Sequence, residues 1–237
     1  MCTDCGCGDT ELVPVDLHER ILAGNDKLAR HNRDHFAEHG VVALNLMGSP
    51  GAGKTALLEA TAHLAGKRLR IAAVSGDLAT DHDGERLRKA GIPASTITTG
   101  TACHLDARLI HDCLHDFALA GLNLFFIENV GNLVCPAVYD LGQTANVVAL
   151  SITEGEDKPL KYPAMFRGAD LVVLTKIDLL PAMPEIRISA FAEALARVNP
   201  HPHLLPLSAR TGVGMPAWIA WLDSLRAASM QVEGHAC

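Results

Sequence analysis

The eight residues 48–55, reading Gly-Ser-Pro-Gly-Ala-Gly-Lys-Thr, restrict the possible folds of this chain more than any other stretch. They match the spacing G-x-x-x-x-G-K-[ST] and stand between an apolar run, 41–47, and a helical pattern, 54–65, the context that motif requires. Glycines at 48, 51 and 53 permit the backbone to turn successive N–H groups inward, and the helix opening at Lys54 adds its dipole and free N–H groups. Such a loop cradles phosphates. Gly48, Ser49, Gly51, Ala52, Gly53, Lys54, Thr55 and Ala56 are the expected contacts, with Lys54 reaching the β- and γ-phosphates and the Thr55 hydroxyl meeting Mg²⁺.

The pattern around this loop agrees with it. Apolar strand-like runs at 41–47, 70–75, 94–99, 124–127, 147–152, 171–175 and 203–207 alternate with helical patterns at 54–65, 84–90, 105–120, 184–198 and 215–228. Continuously apolar strands alternating with helices imply an α/β fold of three layers, α/β/α, with a mostly parallel central sheet. Ligands then bind at the carboxyl ends of the strands. The expected division is a polar Cys- and Gly-rich tail over 1–15, a helical segment over 16–40 with a break near Gly24 and Asn25, the nucleotide domain over 41–230, and a frayed terminus over 231–237.

After the run 171–175 comes Thr175-Lys176-Ile177-Asp178, which resembles the guanine-reading N-K-x-D motif with Thr in first place. The Asp178 carboxylate can accept from both N1–H and the 2-amino group of guanine. Adenine offers a lone pair at N1 and no 2-amino group, so the site would discriminate strongly. Lys176 is expected to lie along the base and brace the phosphate loop. Ser208, Ala209 and Arg210 resemble S-A-K, whose backbone meets the guanine O6. Asp77, past the second strand, is placed for Mg²⁺ or its waters. Glu128-Asn129-Val130-Gly131 stands where many GTPases carry D-x-x-G, with Gly131 near the γ-phosphate. No glutamine follows Gly131 to orient water, and no arginine suggests itself as an internal finger, so slow intrinsic hydrolysis is expected.

Net charge is −7, which argues against an electrostatic grip on nucleic acid. No apolar run approaches the roughly 20 residues of a bilayer span. The first residues show no signal-peptide pattern, and seven cysteines without an export signal suit a reducing cytoplasm and metal or redox chemistry.

Cys2, Cys5 and Cys7 place three thiols within six residues. A short tail can spread them into a square plane with an amine or backbone nitrogen, a geometry that favours Ni(II) or Cu(II) over zinc; a redox Cys-x-x-Cys is the alternative. Cys103, His104 and Cys135 lie on loops of the ligand edge, Cys103-His104 at the start of a helix, and can meet as three N/S donors with one position open. The alternative there is a buried inert thiol and a satisfied histidine. His31, His35 and His39, and His111 and His115, repeat at helical spacing and read as solvated or interface faces.

Taken together, the 2–7 cysteine tail, the loop 48–55, residues 128–131, the segment 154–163, residues 175–178 and the pair Cys103-His104 with Cys135 resemble the HypB family, the nickel-incorporation GTPases of [NiFe]-hydrogenase maturation. The resemblance covers nearly the whole chain. It implies GTP hydrolysis to GDP, a high-affinity nickel site at the tail, and a nickel or zinc site at the later trio. It further implies a GTP-dependent homodimer with that site at the interface, and nickel transfer to the hydrogenase large subunit alongside a small zinc-containing maturation protein. The long His-rich storage stretch of some members is missing. The urease accessory GTPase is the nearest rival, but it binds metal through Cys-Pro-His, and here Cys135-Pro136 precedes Ala137. A metal storage or sensor module with a vestigial nucleotide site is the other, and the intact Lys54, Thr55 and Asp178 count against it.

Overall fold

The structure is a computed structural model and describes residues 15–100 and 102–233. Cys2, Cys5, Cys7 and the last four residues lie outside that range. The chain runs α1 (Val15–Glu38), β1 (Val42–Met47), α2 (Lys54–Ala65), β2 (Ile71–Asp77), α3 (His82–Lys89), β3 (Ala94–Thr98), α4 (Ala107–Leu114), β4 (Leu124–Glu128) and β5 (Ala145–Ser151). It continues through α5 (Lys158–Lys161), α6 (Pro163–Arg167), β6 (Leu171–Thr175), α7 (Ile188–Ala196), β7 (Leu204–Pro206) and α8 (Met215–Glu233).

All seven strands are parallel, in the order β3-β2-β4-β1-β5-β6-β7. Both faces are covered, which is why the strands are apolar at nearly every position. Val42, Leu44 and Leu46 of β1 pack with Leu57, Leu58, Trp218 and Leu222 of α2 and α8. Ala43 faces the other way, into a cluster with Phe36 of α1, Ile110 of α4 and Phe125. A third cluster joins β5 and β6 to Phe166 and Phe191. This is the three-layer α/β/α arrangement expected from the pattern. The strand order turns back on either side of β1, so the loops leaving β1, β4, β5 and β6 crowd together at one edge, where a ligand fits.

Three helices differ from the sequence expectation. The first helix does not break at Gly24 and Asn25. The Asn25 amide donates to the Asp140 carbonyl and its oxygen accepts from the Ala107 N–H, and these bonds hold the turn helical despite the ~1 kcal/mol cost of an interior glycine. The helix expected over 105–120 begins only at Ala107, because the Asp106 side chain caps it by accepting from the Leu109 N–H. Cys103 and His104 therefore stand in the loop before that helix, not on its first turn. It ends at Leu114, where i→i+3 bonds to Cys113 and Leu114 turn Phe117 onto Phe125. The helix expected over 184–198 starts at Ile188, after a 3₁₀ stretch Ile177–Ala182 containing Pro181.

Candidate functional site

β1 ends at Met47, and the loop 48–53 wraps back to the first turn of α2. Gly48, Gly51 and Gly53 have φ of +148°, +74° and +93°, values that L side chains rarely adopt. At Gly48 the reason is also steric: a Cβ there would lie 2.3 Å from the Ala149 carbonyl oxygen of β5. The phosphate loop is thus pressed against the next strand.

Lys54 is buried and its ammonium donates to the Gly48 and Ser49 carbonyls at 3.2 Å each. Burial lowers its pKa, while Glu128, Asp83 and Glu154 oppose that shift. The Thr55 hydroxyl lies 2.7 Å from Glu128 Oε1 and 2.9 Å from Asp83 Oδ1. One hydroxyl carries one proton and cannot donate to both. The conflict is relieved at Glu128, whose burial pushes its carboxyl up to about 7, against the pull of the Thr55 bond and Lys54. A protonated Glu128 donates to Thr55 while Thr55 donates to Asp83. The other Glu128 oxygen, Oε2, is buried with no partner.

These groups line a cavity of about 410 Å³ that also includes Asp77, Arg86 and Gly131. Asp77 Oδ1 accepts the Ala79 and Thr80 N–H groups, chiefly Ala79's, which holds its carboxyl below the usual range. Gly131 abuts the loop so closely that a Cβ would meet Pro50 at 2.9 Å.

Asp83 and Arg86 escaped the sequence reading. Both sit on α3, one turn apart, and Arg86 makes a bidentate pair with Glu59 of α2 at 3.1 and 2.7 Å. That pair raises the Arg86 pKa further. The only sequence signal was an acid in the first turn of a helix beginning just past a strand end.

The residues of the two motifs expected to read the base lie close to the phosphate loop and to each other. Thr175 Oγ1 donates to the Ala52 carbonyl at 2.6 Å, and Lys176 Nζ to the Gly51 carbonyl at 2.6 Å. Lys176 pairs with that loop from a left-handed backbone, φ +60°, found among the described residues at no other non-glycine. Asp178 accepts from the Ser208 hydroxyl at 2.6 Å and lies 3.7 Å from Arg210. Ala209 and Arg210 border a second hollow, together with Ala56 of α2.

Cys103, His104 and Cys135 also meet. Their donor atoms lie within 4.8 Å of one another, among the described residues the one such group of three, with the two sulfurs 2.7 Å apart. The Cys103 thiol and burial hold the Cys135 thiol above its ordinary pKa, and burial keeps the His104 pKa low. A neutral imidazole is the ligating form, and a divalent ion taking both thiolates removes the crowding of two thiols. The His104 ring is stacked on Tyr139 at 4.0 Å, a support with no sequence signal.

A buried asparagine connects these two sites. Asn129 accepts the Leu105 and Val130 N–H groups and donates to Asn45 of β1, which in turn bonds Asn146 of β5. Three residues on, Asn132 bridges to Gly48 of the phosphate loop and donates to the Cys103 carbonyl at 3.4 Å. The loops carrying Cys103, His104 and Cys135 therefore hang from the strand ends that frame the cavity beside the phosphate loop.

The comparisons with known proteins agree with this geometry. The CobW/HypB/UreG nucleotide-binding domain family matches residues 42–206. The hydrogenase maturation factor HypB of Azotobacter chroococcum mcd 1 is 46% identical over 219 residues, 92% of this chain and 72% of the relative. The chain belongs to the HypB family. Two solved HypB structures superpose on it. The one from Helicobacter pylori, in complex with nickel, has a TM-score of 0.81 at 39% identity, covering 86% of this chain and 96% of that one. The one from Archaeoglobus fulgidus has a TM-score of 0.80 at 40% identity, covering 86% and 100%. Among the described residues no helix is long and apolar enough to cross a membrane.

Proposed function

We propose that this HypB-family chain is a slow GTPase that uses the GTP cycle to gate nickel at Cys103, His104 and Cys135. The carrying observation is the shared framework: the 129–135 loop touches the phosphate loop at Gly48 and Pro50 and brings Cys135 to Cys103 and His104. A γ-phosphate that draws in Gly131 would move Cys135 relative to Cys103. By linkage, nickel bound at the trio would then alter nucleotide affinity by the same factor.

In this reading Asp178 reads guanine, Lys176 and Thr175 fix the base site to the phosphate loop, and the Ser208–Arg210 turn closes it. Lys54 leaves its two carbonyls for the β- and γ-phosphates. Mg²⁺ fits the hard oxygen donors at Thr55, Asp83, Glu128 and Asp77, and the unpartnered Glu128 oxygen marks a place for such a charge. The ion would neutralise phosphate charge. Arg86, held by Glu59 and Asp83 at the same wall, is the nearest fixed cation besides Lys54. Its engagement by Glu59 is consistent with a slow intrinsic rate.

Nickel is cargo here, and zinc is an alternative occupant of the same three donors. Val134 and Val138 beside the trio are more than half exposed, which supports closure of the site in a GTP-dependent homodimer. In this reading nickel is delivered to the hydrogenase large subunit in the cytoplasm, with a small zinc-containing maturation protein as partner, and membership of a hydrogenase maturation family supports it. Binding to nucleic acid is disfavoured by the charge of −7.

The test is a nickel titration of the trio with GDP and then with a non-hydrolysable GTP analogue, following mass by light scattering. A shift in nickel affinity and a dimer in the GTP state are expected. Equal affinities and an unchanged monomer in both states would refute the gating.

A further inference from the structure

Five of the twelve histidines belong to α1, α4 or the residues just after them. His31, His35 and His39 recur every fourth residue of α1 and just beyond it, and His111 and His115 do so at the end of α4. Each set alone reads as an ordinary helix face. Folding joins them, because Asn32 and Phe36 anchor α1 beside α4, the former through the Ala107 carbonyl. The His31 and His111 ring centroids are then 5.0 Å apart and those of His111 and His115 5.3 Å apart, with interplanar angles of 65° and 77°.

These spacings suit shared coordination. A divalent metal sits about 2.0–2.1 Å from an imidazole nitrogen, hence roughly 3.2 Å from the ring centre. Two rings on one ion, at N–metal–N angles between a right angle and tetrahedral, have centroids roughly 4.5–5.2 Å apart. The first pair falls inside that interval and the second within 0.1 Å of it. His111 and His115, four apart on one helix, make a chelating pair, and His31 adds a third donor from the neighbouring helix. Imidazole donors suit nickel, copper and zinc.

We propose that His31, His111 and His115 bind one divalent cation of this borderline class across the α1–α4 seam, with water completing its shell. The site shares no residue with the nucleotide cavity or the Cys103–His104–Cys135 trio. It offers nitrogen donors where the trio offers two sulfurs, so the two differ in the ions they hold best. The three rings do not yet aim their nitrogens at one point, and among the described residues they make only ring contacts with one another. His31 and His115 are exposed and His111 is half-buried, and exposed rings rotate on picosecond to nanosecond timescales, so the outer two can turn toward an ion at His111. His35 sits instead beside His39 and 3.8 Å from Glu38. Occupancy would tie α1 to the sheet layer.

The experiment uses the full chain with Ni²⁺ alone, or Zn²⁺ alone, in equilibrium dialysis. His31→Gln, His111→Gln, His115→Gln and the control His35→Gln are compared with the wild type, and GDP binding checks that each variant folds. Every variant keeps the thiolate sites, so their contribution cancels in the difference. The expected result is one equivalent bound about a hundredfold more weakly in the first three variants, and unchanged in His35→Gln. Anomalous scattering from metal-soaked crystals should peak among the three rings. Full wild-type binding in His31→Gln or His111→Gln, equal loss in His35→Gln, or an anomalous peak at only two of the rings would overturn the assignment.

Discussion

The phosphate loop and the Cys103–His104–Cys135 trio are built by opposite means. The loop is one run of eight residues pressed between two strands and a helix, its Lys54 and Thr55 both buried. The trio joins two loops whose cysteines are 32 residues apart in sequence, its members half-buried, aligned by Tyr139 stacking and the Asn129 and Asn132 amides. The first is rigid because its backbone conformation is dictated locally. The second takes its geometry from how two separate loops are held against each other. The proposed coupling between nucleotide and ion rests on that difference.

The largest expected effect lies on the rigid side. Lys54→Ala removes the buried charge that serves the phosphates and should lower GTP turnover by about 10³-fold, read by phosphate release, while nickel still binds the trio. Loss of nickel binding in that variant would break the contrast. Next comes the base: Asp178→Asn should weaken GTP by roughly 10²-fold or more and admit xanthosine triphosphate, whose C2 oxygen pairs with an amide donor. Unchanged GTP affinity in a direct titration would remove Asp178 from the guanine site.

The third effect is on stability. Burial lifts the folded Glu128 pKa from 4.5 to about 7, so the folded nucleotide-free protein holds a proton that the unfolded chain releases. Stability contributed by that proton is complete below pH 4.5 and is lost as pH rises through about 7, at most about 3 kcal/mol. Urea unfolding at pH 5 and pH 7.5 should show this fall in the wild type and a smaller one in Glu128→Gln; identical slopes would place the titration elsewhere. The smallest effect sharpens the link between the two regions. Asn132→Ala cuts the bond to the Cys103 carbonyl and should reduce the factor by which nickel changes GDP affinity, of the order of 5–150-fold in coupled systems, towards one. Coupling that survives intact would mean Asn132 is only a loop support.

Where the sequence reading succeeded, the signal was local or periodic. Residues 54–65 and 171–175 carry their own period and boundaries, and the helix and strand fall there as expected. Lys176 over the phosphate loop followed from motif order alone. Where it missed, the cause was long-range. Asn25 holds a helix together through partners 82 and 115 residues away. Asp106, an ordinary acid in the sequence, moves a helix start past Cys103 and His104. Arg86 is one of several charges on a short helix until α2 brings Glu59 beside it.

The sequence by itself therefore determined the phosphate loop and the parallel layered fold, and it nominated the residues proposed for the base and metal sets, because glycine conformation, hydrophobic period and donor chemistry are properties of adjacent residues. Tertiary structure alone decided that Thr55 is contested by Asp83 and Glu128, that Asn129 holds the backbone at both Leu105 and Val130, and that His31 of one histidine stripe meets His111 of the other. Those facts depend on which strand ends and helix faces the sheet order makes neighbours, and no run of adjacent residues encodes that.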